Sequence, residues 1–217
     1  MSDPRPQVVV LGAGGHARVL VDLLRLVSLE PVAVLDRDGA AARGNVLGVP
    51  IVGGDEELKR FDPARVALVN AVGSVQINAS RRELFLRCRA LGFHFATLVH
   101  PRSTVAAGAT LAEGVQVLAG AVINVGARVA ENTIINTAAV VEHDCTIGPH
   151  VHVASRAALA GGVTAKEAAF IGAGATVIQG IVIGARAVVG AGAVVIRDVE
   201  DDAVVVGVPA RTRAGRR

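Results

Sequence analysis

The sequence predicts a mixed fold in which a small α/β domain (residues 1–100) is followed by a parallel β-solenoid (residues 101–217). Three observations lead to this prediction. A strand, a glycine-rich turn and a helix follow one another near the N-terminus, and from Val105 onward an aliphatic residue recurs every six positions. The chain also has no Trp, no Tyr and only five Phe, although 52% of its 217 residues are hydrophobic. Its interior must therefore be built mainly from aliphatic side chains rather than from rings.

Composition excludes several other classes of protein. High hydrophobicity with only 19% charged residues excludes an intrinsically disordered chain, and two cysteines cannot form a disulfide framework. The net charge is +3, but the sequence contains no nucleic-acid-recognition motif and no aromatic residues placed to stack on bases. We therefore expect no nucleic acid partner. Residues 1–7 lack the apolar core of a signal peptide, and glycines interrupt the uncharged segment 168–185. We therefore expect a cytoplasmic protein that does not insert into a membrane.

A six-residue repeat dominates the second half of the chain. Fifteen of its sixteen key positions hold Val, Ile or Leu, and Ala165 is the exception. A period of six fits neither an amphipathic helix nor an alternating strand. It fits short strands joined by tight turns, each of which points one aliphatic side chain inward. The key positions are Val105, Leu111, Val117, Ile123, Val129, Ile135, Val141, Ile147, Val153, Leu159, Ala165, Ile171, Val177, Ile183, Val189 and Val195.

The first hundred residues predict a β-α-β unit with a turn suited to phosphate. A buried strand leads into the turn Gly12-Ala13-Gly14-Gly15-His16, and a second strand ends at Asp36. Such a turn brings backbone N–H groups and a helix N-terminus close to a phosphate group. The predicted elements are strands over 8–11, 31–35, 65–71 and 93–99 and helices over 17–27 and 80–91.

The same turn leaves two other interpretations open. Gly12, Gly14 and Ala17 match the dinucleotide fingerprint G-x-G-x-x-G/A, and Asp36 lies at about the spacing of a ribose contact. An NAD-dependent oxidoreductase is therefore one alternative, although the predicted elements amount to half of a dinucleotide fold and suit a mononucleotide better. A turn whose glycines serve packing alone is the other alternative.

The GAGGH turn, the dipeptide His100-Pro101 and the hexads together resemble the hexapeptide-repeat sugar acyltransferases related to sialic-acid O-acetyltransferases. The resemblance is to their nucleotide 4-amino-sugar N-acetyltransferases in particular, of the UDP-bacillosamine and GDP-perosamine types, and it extends from Val8 to Arg211. It implies a Rossmann-like N-terminal domain that binds the nucleotide sugar and a left-handed β-helix with three hexads per coil. It also implies a homotrimer in which acetyl-CoA lies in grooves between subunits.

Polar residues that interrupt the repeat match the catalytic segment of that family. The match covers Asn136-Thr137 and Glu142-His143-Asp144-Cys145, and it implies that His143 is the general base. An amine or hydroxyl that attacks a thioester loses a proton as the bond forms, and a neutral imidazole can accept that proton. An adjacent carboxylate can orient the ring. Asp144 is the candidate for this second role, and Glu142 is its competitor.

The resemblance also implies which residues contact the two substrates. His150 has no matched role and is expected to be solvated, and the irregular hexad at 166–169 predicts a looser corner beside the CoA groove. Acetyl-CoA is expected to contact His152 and, through backbone groups, Ala173 and Ala191. The nucleotide sugar is expected to contact Gly14, Gly15, His16, Asp36, Arg37, Gly73, Asn136 and Glu142.

Two other chemistries are conceivable at the polar segment. Cys145 could accept the acyl group, but it occupies a small inward position of its hexad, where thiols are usually inert. His143, His150 and His152 could bind zinc, but they all fall within ten residues and the hexads contain no other histidine. No metal is therefore expected, and direct transfer is favoured over a covalent intermediate.

The resemblance, together with the residues that carry it, implies an acetyl-CoA-dependent N-acetyltransferase that acts on the 4-amino group of a nucleotide-linked amino-dideoxy sugar. Its product would serve polysaccharide or glycan biosynthesis. O-acetylation of sialic acid or a related sugar is the alternative within the class. A nucleotide-sugar-binding protein without catalytic activity is the alternative outside it. The sequence leaves the nucleotide open among UDP, GDP and CMP.

Overall fold

The computed structural model describes residues 6–37, 44–73 and 79–213. These residues form two compact units, and the chain passes from the first to the second between Leu98 and Val99. The first unit is an α/β domain and the second is a β-solenoid, so the predicted fold class is confirmed. Within the described ranges, no helix combines the length and the apolar character that crossing a membrane requires.

A five-stranded sheet forms the centre of the first unit. Its strands are β1 (Gln7–Leu11), β2 (Glu30–Leu35), β3 (Asn45–Val46), β4 (Val49–Gly53) and β5 (Val66–Asn70). Their order is β3-β4-β2-β1-β5, and every pairing is parallel except that of β3 with β4. Val8, Val9 and Val10 of β1, which has a partner strand on each side, are fully buried, as is typical of parallel sheets covered on both faces. The loops at the carboxyl ends of β1, β2 and β5 therefore meet at one edge of the sheet.

Among the described residues, two α-helices and a short 3-10 helix accompany this sheet. They are α1 (Gly15–Leu26), α2 (Ala79–Ala90) and the 3-10 helix Asp55–Arg60. Helix α1 contains no Pro, and its one glycine is its first residue, so nothing in its interior interrupts it. Its apolar residues recur at three- and four-residue spacing and face inward. The buried ones are Ala17, Leu20, Val21, Leu23 and Leu24.

Two local predictions for this unit are corrected by the structure. Residues 93–99 do not form one strand, because Phe95 makes only an isolated bridge to Leu68 before the chain reaches the short strand β6 (Leu98–Val99). The hairpin of β3 and β4 has no counterpart among the predicted strands. Its first strand has two residues and its second contains Pro50, which is uncommon in strands, so the pattern carries no clear signal.

The second unit is a solenoid whose sixteen hexads each supply a strand of two residues, β7 to β22. Each strand from β7 to β19 pairs in parallel with the strand 18 residues further along, as Val122 does with Val140, so three hexads complete one coil. Strands β23 (Val204–Val206) and β24 (Arg211–Thr212) follow as an antiparallel pair. The sixteen strands are Thr104–Val105, Thr110–Leu111, Gln116–Val117, Val122–Ile123, Arg128–Val129, Ile134–Ile135, Val140–Val141, Thr146–Ile147, His152–Val153, Ala158–Leu159, Thr164–Ala165, Phe170–Ile171, Thr176–Val177, Val182–Ile183, Val188–Val189 and Val194–Val195.

The solenoid interior consists of stacked aliphatic side chains. The second residue of every strand from β9 to β22 is buried, and this includes Ala165, the one small residue at a key position. Small residues such as Ala121, Ala139 and Ala157 fill the space between these layers and are also fully buried. The described members of this core include no aromatic ring, which accounts for the composition of the chain.

Tight corners join the strands, and several of them require a left-handed backbone. Gly126 and Gly162 have φ of +76° and +69°, and Asp144, on the coil between them, has φ of +60°. The looser corner predicted at 166–169 is absent. Ala168 adopts φ of +57° there, and strands β17 and β18 keep their pairing on both sides, so the substitutions in this hexad leave the coil regular.

Candidate active site

The turn after β1 opens into a cavity of about 330 Å³ in the first unit. Gly12 in this turn has φ of +104°, and a Cβ there would lie 3.1 Å from the backbone of Ala71, so glycine is required. A Cβ on Gly14 or Gly15 would meet nothing within 4 Å. Close packing against Ala71 therefore explains why residue 12 is glycine. Gly14 and Gly15 leave the backbone open to a ligand, which argues against a turn that serves packing alone.

The cavity is bordered by several residues that the sequence predicts to contact the nucleotide sugar. These are Gly14, Asp36, Arg37 and Gly73. Gly15 and His16 begin α1, and the Cβ of His16 lies 4.0 Å from the place that a Cβ on Gly73 would occupy. The six predicted residues of the first unit thus lie at or next to one cavity. Asn136 and Glu142, the other two, belong to the second unit.

The Asp36 carboxylate stabilises the glycine-rich turn. Its Oδ2 accepts a hydrogen bond from the Ala13 N–H at 2.5 Å, and the Asp36 N–H donates to the carbonyl oxygen of Gly53 at 2.8 Å. These bonds hold the carboxylate at the end of β2, on the cavity wall. Carboxylates at this place in nucleotide-binding folds contact a ribose hydroxyl.

One face of helix α2 forms a wall of the cavity that the sequence analysis did not identify. Ser80, Glu83, Leu84 and Arg87 border the cavity from this helix, and Asp55 borders it from the 3-10 helix. Arg87 and Asp55 form an ion pair. The four helical residues have the i, i+3, i+4, i+7 spacing of one helix face. Every helix has residues at this spacing, so the sequence carries no signal that distinguishes this face of α2.

Arg81 is buried behind this wall and joins α2 to the end of β5. Its guanidinium donates hydrogen bonds to the carbonyl oxygens of Asn70 (2.6 Å) and Val72 (3.1 Å). The Asn70 side chain donates in return to the Arg81 carbonyl oxygen at 2.9 Å and accepts from the Val72 N–H at 3.2 Å. Burial lowers the pKa of Arg81 to about 9, so the side chain remains charged at neutral pH. The bonds fix the backbone that leads to Gly73.

In the solenoid, His143 and Asp144 form a hydrogen-bonded pair on an exposed corner. His143 Nδ1 donates to Asp144 Oδ2 at 2.9 Å, and the two side chains are 60% and 72% exposed. Glu142, the competing carboxylate, instead accepts a hydrogen bond from the Asn124 side chain at 2.8 Å. The contact with the imidazole is therefore made by Asp144, and Glu142 is held by the preceding coil.

Glycines on the neighbouring coils make room for this pair. Gly161 lies 18 residues after His143, and a Cβ on it would lie 2.5 Å from both Cε1 and Nε2 of the ring. Gly126 lies 18 residues before Asp144, and a Cβ there would collide with that carboxylate. The side chains of His143 and Asp144 thus occupy space that is free because Gly161 and Gly126 have no Cβ. Nε2 of His143 faces the backbone of Gly161.

Two further histidines are buried in the same region. His152, which is predicted to contact acetyl-CoA, is 7% exposed, and its Nε2 accepts a hydrogen bond from the Asn136 side chain at 3.1 Å. The expectation that His150 is solvated is wrong. His150 is 3% exposed, and its Nδ1 accepts a hydrogen bond from the buried Asn132 side chain at 2.9 Å, because the corner points it at the preceding coil.

Ala173 and Ala191, the remaining predicted CoA contacts, occupy the same corner on successive coils. Both are exposed, and the N–H of Gly192 donates to the carbonyl oxygen of Ala173 at 2.9 Å. A Cβ on Gly172 would lie 2.6 Å from the Ala191 nitrogen, so the two coils are in close contact here. The only side chains of Ala173 and Ala191 are methyl groups, so their backbone is accessible to a ligand. A contact with CoA through backbone groups requires this.

Neither alternative chemistry gains support from the geometry. The Cys145 thiol is fully buried and donates to the carbonyl oxygen of Ala160 at 3.2 Å, and burial raises the pKa of this thiol, so the reactive thiolate is disfavoured. Among the described residues, no three His, Cys, Asp or Glu side chains are grouped so that they could hold a metal ion.

Comparisons with known proteins agree with this geometry. The family model "PglD N-terminal domain" matches residues 7–87, which contain the glycine-rich turn and most of α2. A comparison with curated proteins gave no match.

The solved structures that match both units of the chain include the following two. One is a histidine-to-asparagine mutant of perosamine N-acetyltransferase from Caulobacter crescentus in complex with CoA and GDP-perosamine. It is 39% identical, with 96% of this chain and 97% of that chain covered and a TM-score of 0.89. The other is the acetyltransferase domain of PglB from Neisseria gonorrhoeae FA1090, 33% identical, with 96% and 100% covered and a TM-score of 0.88. The gonococcal domain has also been solved in complex with acetyl coenzyme A.

Proposed function

Because this chain belongs to the hexapeptide-repeat sugar N-acetyltransferases, we propose that it transfers the acetyl group of acetyl-CoA to the 4-amino group of a nucleotide-linked amino-dideoxy sugar. One observation carries the proposal. An imidazole hydrogen-bonded to a carboxylate lies on an open corner of the solenoid, with glycine on the coil beyond it. The same chain holds a glycine-rich cavity suited to a nucleotide.

In the proposed reaction, the amine of the sugar attacks the carbonyl carbon of the thioester. His143 Nε2 accepts the proton that the amine loses, while Nδ1–H remains bonded to Asp144. The carboxylate thereby selects the tautomer with a free electron pair on Nε2 and stabilises the imidazolium that forms. The tetrahedral intermediate then collapses, the C–S bond breaks, and the imidazolium of His143 gives its proton to the CoA sulfur. CoA and the N-acetylated sugar nucleotide then leave. No step forms a bond to Cys145.

The two substrates are proposed to bind through different features. The phosphates lie against the backbone N–H groups around Gly14 and Gly15, and Asp36 faces the ribose. Ala173 and Ala191 contact CoA through the backbone, and His152 lies near the thioester. These assignments follow the family pattern and are supported by the cavity and by the methyl-only corner. The proposal also takes the assembly to be a homotrimer.

An assay of CoA thiol release tests the proposed reaction. The full-length protein is incubated with acetyl-CoA and, in turn, with GDP-perosamine, UDP-4-amino-4,6-dideoxy-GlcNAc, CMP-sialic acid and free sialic acid. We expect release with a 4-amino nucleotide sugar. Release with the sialic acids alone would replace N-acetylation by O-acetylation, and no release with any acceptor would refute the proposal.

A substitution of the histidine tests the role of the general base. His143→Ala should lower kcat by roughly 10²- to 10⁴-fold, the usual contribution of general base catalysis, with little change in thermal stability because the side chain is exposed. The matched control is His94→Ala, which removes another exposed histidine, in the first unit. Unchanged turnover of His143→Ala would exclude this histidine as the base.

A further inference from the structure

The α2 wall of the cavity gives a specific prediction about the nucleobase. This inference rests on the proposed function, because it takes the cavity to bind the nucleotide part of the substrate. The wall consists of Ser80, Glu83, Leu84 and Arg87 from α2 together with Asp55. Neither the sequence pattern nor the comparisons assign a role to these residues.

Charge determines which part of a nucleotide can lie at this wall. The carboxylates of Asp55 and Glu83 outnumber the single guanidinium of Arg87 at this wall, so a diphosphate is disfavoured there. The glycine-rich turn at the N-terminus of α1 offers the phosphates N–H groups and the positive end of a helix dipole. The uncharged base is therefore the part of the ligand that fits at α2, where Leu35 and Leu84 supply apolar surface for its ring.

The polar groups of the wall match guanine better than uracil. Arg87, paired with Asp55, offers a rigid fork of N–H donors. Glu83 precedes Arg87 by four residues, so the two side chains are neighbours on one helix face. Guanine presents the acceptors O6 and N7 beside the donors N1–H and N2–H₂, which is the complement of an arginine beside a carboxylate. Uracil presents carbonyl oxygens on both sides of its single N–H, so one of them would face a carboxylate.

We propose that the α2 wall is a guanine subsite, in which Arg87, oriented by Asp55, donates to O6 or N7 and Glu83 accepts from N1–H and N2–H₂. The substrate of this enzyme is then a GDP-linked amino sugar. Each hydrogen bond to a charged group at such a site contributes enough binding energy to discriminate between bases, because the wrong base leaves that charged group without a partner.

Calorimetric titration of the full-length protein with GDP, IDP, UDP and CDP tests the inference. GDP should bind at least 10-fold more tightly than UDP or CDP, which is the usual value of one well-placed bidentate contact. IDP lacks the 2-amino group and should bind more weakly than GDP. Equal affinity for GDP and UDP, or no binding of GDP, would overturn the proposal.

Two variants on the exposed surface of α2 assign the contacts. Glu83→Gln should remove most of the difference between GDP and IDP, and Arg87→Gln should weaken GDP binding while leaving UDP binding nearly unchanged. The control is Arg82→Gln, an exposed arginine of the same helix that does not border the cavity. If the ratio of the affinities for GDP and IDP is unchanged in Glu83→Gln, the role of Glu83 is refuted.

The outcomes separate this inference from the proposed function. Acetyl transfer to a 4-amino nucleotide sugar together with equal binding of GDP and UDP would refute the guanine subsite and leave the proposed activity standing. Selective binding of GDP without transfer to any amino sugar nucleotide would refute the proposed activity and leave the subsite standing.

Discussion

At the scale of single residues, two neighbouring carboxylates have different environments. Asp144 contacts the imidazole of His143, and Glu142 is held by Asn124 on the preceding coil. Asp144 also has a left-handed backbone at a corner where the coils before and after it have Gly126 and Gly162. Ala138 and Ala168 adopt the same backbone conformation at other corners, so the contact with His143, and not the backbone, distinguishes Asp144.

The two carboxylates should therefore give different kinetic effects. Asp144→Asn should lower kcat on the order of 10- to 10³-fold, because the amide no longer selects the tautomer or stabilises the imidazolium. A carboxylate that orients the imidazole of a catalytic triad acts in this way. Glu142→Gln should instead raise the KM for the sugar nucleotide with kcat little changed. Steady-state kinetics of both variants measure this.

The reverse pattern would assign the orienting role to Glu142. A matched reference for both variants is Asp202→Asn, which removes an exposed carboxylate bonded to Arg186 at another corner of the solenoid. Its kcat and KM should equal those of the unaltered protein.

At the scale of secondary-structure elements, Arg81 connects the end of β5 to the first turns of α2. Arg81→Met should destabilise the first unit by about 2–4 kcal/mol, because the carbonyl oxygens of Asn70 and Val72 lose charged donors while remaining buried or half-buried. The KM for the sugar nucleotide should also rise, since these bonds fix the backbone that leads to Gly73. Urea denaturation and kinetics at saturating acetyl-CoA measure the two effects.

The conservative variant separates a positioning role from a purely structural one. Arg81→Lys keeps the charge but supplies fewer donors and lacks the planar fork. Compared with Arg81→Met, it should restore part of the lost stability, while its KM for the sugar nucleotide should stay closer to the raised value. Arg82→Met, next in sequence but exposed, should change neither quantity. A stable Arg81→Met protein with an unaltered KM would contradict the role of Arg81 in positioning this backbone.

The strongly periodic elements could be predicted from the sequence, and the elements defined by tertiary contacts could not. The hexads and α1 repeat an apolar residue at a fixed spacing, so the pattern alone identifies them. The hairpin β3–β4 has no such period. In α2, the arginines at 81, 82, 87 and 89 look alike in sequence, yet only Arg81 is buried, because it alone faces the end of β5.

The same distinction applies to the candidate site. The glycine-rich turn and the pair of His143 with Asp144 could be found, since each is a contiguous motif. The α2 wall could not be assigned in the same way, because its residues meet Asp55 only after folding. The expectation that His150 is solvated is wrong for a related reason. Its burial depends on Asn132, which lies one full coil earlier.

At the scale of the whole molecule, the coil length of 18 residues decides which polar side chains of the solenoid meet. Asn124 bonds to Glu142 and Asn132 bonds to His150, each 18 residues further along, and Gly161 lies 18 residues after His143. A rigid stack of coils thus converts sequence spacing into contact. The α/β unit uses different means, since loops at the carboxyl ends of its strands build the cavity.

The exposure of the His143 and Asp144 pair leads to a last prediction, about assembly. A pair that is 60% and 72% exposed in one chain is open to water, whereas acyl transfer is favoured where water is excluded. In the homotrimer that the proposed function assumes, a neighbouring copy completes each groove, and light scattering should then give a mass three times the 22.1 kDa of one chain. The specific activity should then fall on dilution as the assembly dissociates. The inactive His143→Ala variant should have the same mass as the unaltered protein, which would separate loss of the base from loss of assembly. A 22.1 kDa species with full kcat would show that one chain suffices.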